Sequence, residues 1–340
     1  MKVRKAVPLT GHRSLVTGHR SIALAVFLCA LALPGMHDAR AQAYPSKNIQ
    51  MIVPYPAGGS IDLYARAISL ELGKMWGRNI IVDNRAGASG MIGTEIAAKM
   101  DPDGHVLLAH TSSYPATAAV RAKLPFDPAR AIVPVATIAK APMLIAVHPS
   151  LPAKSVKELV ALAKKFPGKF NYGSSGAGGN NHFSGALFAS AAGVKMTHVP
   201  YKGIAPAVVA LAAGEVEIVI ASQAALGVQV KANKVRVLGI TSLEPSKLFP
   251  GLPTANQAGV PGYSYELWWG FFAPAGMPAD RIATVNAAVN KILVSPEMKK
   301  FFDAEAAEPW PQTPAQIADL LPKEIERYKK AAKLAGIEPQ

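Results

Sequence analysis

Thiol chemistry is missing from almost the whole of this chain. The single cysteine, Cys29, lies inside an apolar N-terminal run. Disulfide frameworks, thiolate metal sites and cysteine nucleophiles are therefore excluded for everything that follows it. Charge is scarce as well, at 17% of the 340 residues, and aromatics make up 7%. No apolar stretch after residue 45 reaches the roughly 18 residues that a membrane-crossing helix needs, which excludes a multi-pass helical membrane protein. Enzyme signatures are absent too. Gly173-Ser174-Ser175-Gly176 places its second glycine one residue early for a G-x-S-x-G nucleophile turn. Gly176-Ala177-Gly178 begins a dinucleotide-binding pattern that lapses at Asn181. Neither a phosphate-binding G-x-x-x-x-G-K-[ST] nor a zinc-binding H-E-x-x-H occurs. Histidines 105, 110, 148, 182 and 198 form no ligand-like spacing with one another or with an acid. No catalytic residue, metal or cofactor is expected.

What is present begins with an export signal. Lys2, Arg4, Lys5, Arg13 and Arg20 precede the apolar run Ser21 to Leu33, which Pro34-Gly35 breaks, and Ala41-Gln42-Ala43 has the small-residue form that a signal peptidase reads. Residues 1–43 are thus expected to be a signal peptide cleaved after Ala43. Their removal leaves 30 basic and 21 acidic residues. A basic exported protein can meet nucleic acid, a membrane surface or small anions. The densest basic run, Lys323 to Lys333, is interleaved with Glu324 and Glu326 and offers no platform of stacked aromatics. It reads as a solvated helix face, so no nucleic-acid partner is expected and small anions remain open.

From Tyr44 the chain alternates strand and helix patterns. Ile49 to Tyr55 is a β run that enters the turn Pro56-Ala57-Gly58-Gly59-Ser60. Ile61, Tyr64, Ala65, Ile68, Leu72 and Trp76 then recur at helical spacing. Strands follow at Asn79–Val82 and Val106–Ala109, with a helix marked by Ile92, Ile96 and Met100 between them. This β-α-β-α-β order predicts a mainly parallel sheet flanked by helices. The pattern starts again at Met143–Val147. It runs through a helix at Ser155–Phe166, a second glycine-rich turn from Gly173 to Gly179, and strands at Met196–Tyr201, Glu217–Ala221 and Val235–Thr241. An aromatic strand, Tyr263–Ala273, and terminal helices come last. The expected organisation is a first domain from 44–142, a second from 143–262, and a return to the first over 263–340. Two crossing segments between domains make a hinge.

The two glycine-rich turns carry the chemistry. Each leads from a strand into a helix, where backbone N–H groups converge and an anion is favoured, and their glycines admit a ligand close to the backbone. A plain tight turn explains either one alone; two, one per domain, point to a cleft beyond the strand ends. Asp62 is expected at the third helical position, bonding back to the Gly59 N–H. His182 starts the helix behind the second turn. Lys202, in VPYKG, is either ligand-facing or a surface lysine. An exported hydrolase using Ser175 and His182 is the competing class, and a ligand-presenting sensor component a third.

Taken together, YPSKNIQMIVPYPAGGSID, VDNRAGASGMIGTEIAA, FNYGSSGAGGNNHF, HVPYKGIAPAV, VRVLGITS and WWGFFAPAGMP make the chain resemble the Bug/TctC family of periplasmic solute-binding receptors of tripartite tricarboxylate transporters, from Tyr44 to about Pro339. The resemblance implies a periplasmic monomer with a two-domain clamshell fold, no cofactor, a small organic carboxylate as ligand, and membrane transporter subunits as partners. It implies ligand loops at Tyr55–Asp62 and Ser174–His182, with Thr111–Ser113 and Gln223 as secondary walls. The contacts so expected are Tyr55, Ala57, Gly58, Gly59, Ser60, Asp62, Ser112, Ser175, Gly176, Ala177, Gly178, Gly179, His182, Tyr201 and Gln223. Three departures from the family pattern bear on the ligand's distal end: Gly179 where a hydroxyl is common, Glu215 and Glu217 in the Gly214–Glu217 segment, and no arginine after Thr241-Ser242. If the signal reading is right, mass analysis of exported protein finds Tyr44 at the N-terminus; retention of Met1 contradicts it.

Overall fold

In the computed structural model, residues 44–339 are described; the expected signal peptide and its cleavage site lie outside them. From Lys47 onward the chain forms one compact unit built on two sheets. The first sheet starts where the sequence is most apolar. β1 (Ile49–Val53) has Ile49, Met51, Ile52 and Val53 wholly buried. It pairs in parallel with β2 (Ile80–Asn84) on one side and β3 (Val106–Thr111) on the other. Helix α1 (Ser60–Trp76) connects β1 to β2 and buries Ile61, Tyr64, Ala65, Ile68 and Leu72 as a single stripe, as its spacing predicts. It ends at Gly77, whose φ of 59° is the left-handed conformation that glycine adopts at little cost. After β2 a 3₁₀ turn (Ala88–Gly90) and α2 (Met91–Ala98) lead to β3.

Beyond β3 the sequence pattern gave no element before residue 143, yet α3 (Ser113–Val120) and the eleven-residue β4 (Ile132–Pro142) lie there. Pro115 inside the helix and Pro134 and Pro142 in the strand mask both. Pro134 faces Phe272 beside a register shift, the irregular pairing in which a strand tolerates a residue without an N–H.

The second sheet is made by β5 (Leu144–Val147), β6 (Asn171–Ser174), β7 (Thr197–Pro200), β8 (Ile218–Ala221) and β9 (Arg236–Ile240), in the order β7-β6-β8-β5-β9. Helices α4 (Val156–Lys165), α5 (Asn180–Ala192), α6 (Ile204–Ala213) and α7 (Gln223–Lys231) connect them. The chain then rejoins the first sheet through β10 (Glu266–Pro274). This strand runs antiparallel between β3 and β4, and a short β11 (Glu308–Pro309) adds to the edge of β4. The first sheet therefore reads β11-β4-β10-β3-β1-β2.

The fold is mixed α/β with two sheets flanked by helices, and most strands of each sheet point the same way, as expected. The exceptions are β10, which runs antiparallel to both β3 and β4, β11, which runs antiparallel to β4, and β5, which runs antiparallel to both β8 and β9. The reason is topological. β5 and β10 each follow a change of sheet, so no right-handed helical crossover sets them parallel to the strands beside them.

The two sheet-changing segments meet at one residue. The Thr241 hydroxyl accepts from Met143 N at 2.7 Å and donates to Tyr265 O at 2.6 Å, while Tyr265 N donates to Thr241 O at 2.8 Å. Of the remaining helices, α8 (Ala279–Leu293), α9 (Pro296–Glu305) and α10 (Pro314–Ile317) follow β10, and the latter two start with side-chain caps from Ser295 and Thr313. The terminal α11 (Leu320–Ala335) packs on both α3 and α5. Its Tyr328 hydroxyl lies 2.9 Å from that of Tyr265.

Candidate functional site

Five helices start at one cavity. It is lined by Gly59, Ser60 and Ile61 at the start of α1, Ser113 of α3, Asn180 and Asn181 of α5, Ile204 of α6, and Ser222 before α7, with Tyr55, Pro56, Thr111, Ser175 and Leu267. Its enclosed volume is about 30 Å³, and about 430 Å³ when all the open space between its walls and at its mouth is counted. The first-turn N–H groups of a helix have no intrahelical acceptor. None of these five helices has a side-chain cap hydrogen bond, whereas α4, α9 and α10, which start elsewhere, do. Glycine is the N-cap of α1, α5 and α6 and has no oxygen to offer. No charged side chain lines the cavity. Ser175 and Ser222 point buried hydroxyls with no hydrogen bond within the protein. The result is a neutral surface rich in donors, which favours an anion.

The first loop is set by Asp62. Gly59 is the N-cap of α1, as expected, but the Asp62 carboxylate accepts from Gly58 N, one residue earlier, at 3.0 Å. It also accepts from Arg66 Nε at 3.0 Å and from Asn84 Nδ2 at 2.9 Å, and Asn84 Nδ2 holds Tyr55 O at 3.0 Å. Burial alone would raise this carboxyl's pKa, but the bonds from Arg66, Gly58 and Asn84 and the Arg66 charge outweigh it and hold it below its ordinary value. Its charge is thus committed to the loop and faces no ligand. Gly58 has φ of 82°, while Gly59 is extended at −79°. The need for a positive φ belongs to Gly58, and a Cβ on Gly59 would meet Ile204 at an ordinary 3.6 Å. Substitution at Gly59 is therefore milder than the sequence alone suggests.

The second loop is bonded to the segments that flank β3 of the first sheet. Ser89 Oγ donates to Ala177 O at 2.8 Å and Thr117 Oγ1 to Gly178 O at 3.2 Å, while Ser113 Oγ accepts from Asn180 N at 3.0 Å. Asn180 is the hub of this closure. Its amide nitrogen reaches Thr111 Oγ1 at 3.2 Å, and its Oδ1 accepts from Tyr265 and Tyr328 at 2.9 and 3.2 Å. Behind the cavity, Tyr55 donates to Ser89 O at 3.1 Å. Burial raises its phenol pKa, so it stays protonated. His110, edge-on to Tyr55 at 5.4 Å, is buried, which lowers its pKa to about 3 and keeps the ring neutral.

Of the expected contacts, Tyr55, Gly59, Ser60 and Ser175 line the cavity. Ala57 and Gly58 lie exposed on the outer side of their turn. Asp62 serves the loop instead of the cavity. Ser112 is turned away, its oxygen 3.4 Å from Trp268 N, and Ser113 takes its place. Gly176, Ala177, Gly178 and Gly179 shape the second loop without lining the cavity: a Cβ on Gly176 would fall 2.4 Å from Ser89 Oγ. His182 turns back to Gly178 N at 3.1 Å. Tyr201, Lys202 and Gln223 are not part of the lining. Ile204, Ser222 and Leu267 are, and sequence reading missed them. Only the Ser222–Gln223 strand-to-helix step gave a signal, one residue off. The hydrolase pairing does not form, since Ser175 Oγ has no partner and His182 Nδ1 is occupied by a backbone N–H.

Two sheets closing on an uncharged, donor-rich cavity define a solute-binding protein. The profile of the Tripartite tricarboxylate transporter family receptor, TctC, matches residues 64–337. BugT of Bordetella pertussis is 33% identical over 298 residues, which are 87% of this chain and 91% of BugT. Among solved structures, R. palustris Rpa4515 with adipate superposes with a TM-score of 0.85 at 34% identity, covering 87% of this chain and 100% of its own. MatC from Rhodopseudomonas palustris with bound malate superposes at 0.79, with 29% identity and coverage of 85% and 99%. The chain belongs to the tripartite tricarboxylate transporter receptor family. It is a solute-binding receptor of an exported, periplasmic family, and not an enzyme.

The loop geometry sets a stability test. Asp62→Ala leaves Gly58 N without its acceptor and Asn84 Nδ2 with Tyr55 O alone, and should cost about 1–3 kcal/mol in urea denaturation at neutral pH; the half-exposed Arg66 adds little to that. Because the folded-state pKa is lowered, the contribution is fully present above the ordinary carboxyl range and is lost as pH falls through the folded value. The two proteins should converge in acid. A difference that persists unchanged in acid contradicts the charged-acceptor role.

Proposed function

We propose that this receptor captures a small carboxylate-bearing metabolite in the periplasm and delivers it to the membrane subunits of a tripartite tricarboxylate-type transporter. The observation that carries the reading is the convergence of five uncapped helix N-termini on a cavity with no charged side chain. Neutral backbone and hydroxyl donors can hold a carboxylate without the desolvation cost of a buried lysine or arginine. Short dicarboxylates are the first candidates, because adipate and malate are the ligands named for the two similar structures.

The receptor acts as a monomer, is cleaved after Ala43, and is divided near residues 142 and 263 into two domains that hinge where Thr241 joins the crossing segments. Support for hinging comes from the contacts that close the cleft, which are mostly single hydroxyl-to-carbonyl bonds. Gly203 belongs to the same closure, since a Cβ there would fall 2.6 Å from Pro56 Cδ.

Calorimetry on a panel of four- to six-carbon acids and their amides tests the proposal. Charge-assisted hydrogen bonds contribute roughly 1.5–3 kcal/mol each, so amidation of the bound carboxylate should weaken binding at least about tenfold. Equal affinity for acid and amide contradicts the anion reading. Gly176→Ala should weaken binding of the same acid while leaving the unliganded protein folded, because its methyl group obstructs closure and not the core.

A further inference from the structure

The two glycine loops follow one plan. Ala57-Gly58-Gly59-Ser60-Ile61-Asp62 and Ala177-Gly178-Gly179-Asn180-Asn181-His182 align residue for residue. Gly58 and Gly178 have φ of 82° and 74°, and the N-caps Gly59 and Gly179 both have φ of −79°. In each, the third helical residue turns back to accept the N–H of the first glycine, Asp62 Oδ2 at 3.0 Å and His182 Nδ1 at 3.1 Å. The loops differ in the chemistry of that acceptor. A carboxylate paired with Arg66 accepts at any pH near neutrality. An imidazole nitrogen accepts only while it carries no proton.

The histidine is not alone. His182 stacks on His198 with ring centroids 3.8 Å apart and planes 9° from parallel. His198 Nε2 lies 2.6 Å from Ser174 Oγ, which accepts from Gly176 N at 3.1 Å. Both rings are therefore fastened to the same loop. From β6, Tyr172 faces them at 6.3 and 5.1 Å; the charged groups lining the same groove are Lys195, ahead of β7, and Glu338, in the terminal segment. No carboxylate is paired with either ring among the described residues. We propose that the His182–His198 pair is a proton-operated latch on the second glycine loop: a proton on His182 removes the acceptor of Gly178 N, a second sets two cations face to face, and the freed loop opens the cleft.

The sign follows from burial. It lowers the pKa of His182 to about 4 and that of His198 to about 3, the latter helped by the charge of His182. Release of the loop returns the rings toward their ordinary value of about 6.5. Opening is then linked to proton uptake, so the closed loop is at full strength above that ordinary value and weakens as pH falls toward the folded values. The latch is read without any ligand. Only its consequence, acid-induced release, rests on the receptor reading.

The test uses unliganded, full-length mature protein and amide hydrogen exchange between pH 7 and pH 4, corrected for intrinsic rates. Peptides covering 174–183 should lose protection by more than about tenfold relative to those covering 56–63. His182→Asn, whose amide oxygen accepts at every pH, should flatten that dependence. A second loop as protected at pH 4 as at pH 7, or a His182→Asn variant with the wild-type dependence, overturns the proposal. Should the variant not fold, an NMR titration of the wild-type imidazoles decides. Coupled titration of both rings well below the ordinary range supports the latch, and either ring titrating within that range contradicts it. Failure of the receptor reading would appear instead as absent acid binding in calorimetry, with loop exchange unaffected.

Discussion

A helix cannot satisfy its own first N–H groups, and this constraint organises the cleft. Away from the cleft α2, α8 and α11 carry no side-chain cap, but at α4, α9 and α10 the chain meets it locally, with Ser155, Ser295 and Thr313 bonding the first turns. At the cleft it does not. Three of the five N-caps are glycines, Ser112 turns its oxygen toward Trp268 N, and Ser222 Oγ bonds nothing in the protein. Neighbouring side chains meet two of the first-turn donors, Thr111 Oγ1 that of Ser113 and Ser113 Oγ that of Asn180; those left over belong to helices of both sheets whose first residues line one small volume. An anion placed there supplies acceptors to helices of both sheets at once. The protein needs no buried cation, and none lines the cavity.

Holding this arrangement falls to groups outside the cavity. Asp62 and His182 shape their loops from behind, and Asn180 ties the second loop to Thr111, Ser113, Tyr265 and Tyr328. Tyr328 comes from the last helix and Tyr265 from the segment that re-enters the first sheet. The C-terminal third of the chain thus braces a loop made 85 to 148 residues earlier. Thr241 does the same for the two crossings, joining Met143 to Tyr265 through one hydroxyl.

How far the sequence was legible depended on whether the signal was local. The glycine turns, the amphipathic stripe of α1 and the strand-helix alternation around them are set within a few residues, and the α/β class was visible from them. So was Asp62 as a loop-bracing residue, although its partner proved to be Gly58 N and not Gly59 N. The reversed direction of β5 and β10 was not visible, because it depends on where the chain changes sheets. Pro115, Pro134 and Pro142 hid a helix and a strand that tertiary pairing sustains. Ile204 and Leu267 reach the cavity from elements with no chemistry-bearing pattern, and only folding brings them there. The resemblance to known receptors pointed to loops that border the cavity but could not say which residue of each lines it: Ser113 and not Ser112, Ser222 and not Gln223.

The central claim is that neutral donors at helix starts make this cleft a site for a carboxylate anion. Mass spectrometry of the small molecule released from receptor purified without denaturation tests it most directly. The account predicts a low-mass acid with at least one free carboxylate, bound at one per chain. Stoichiometric release of an uncharged or cationic molecule would contradict it.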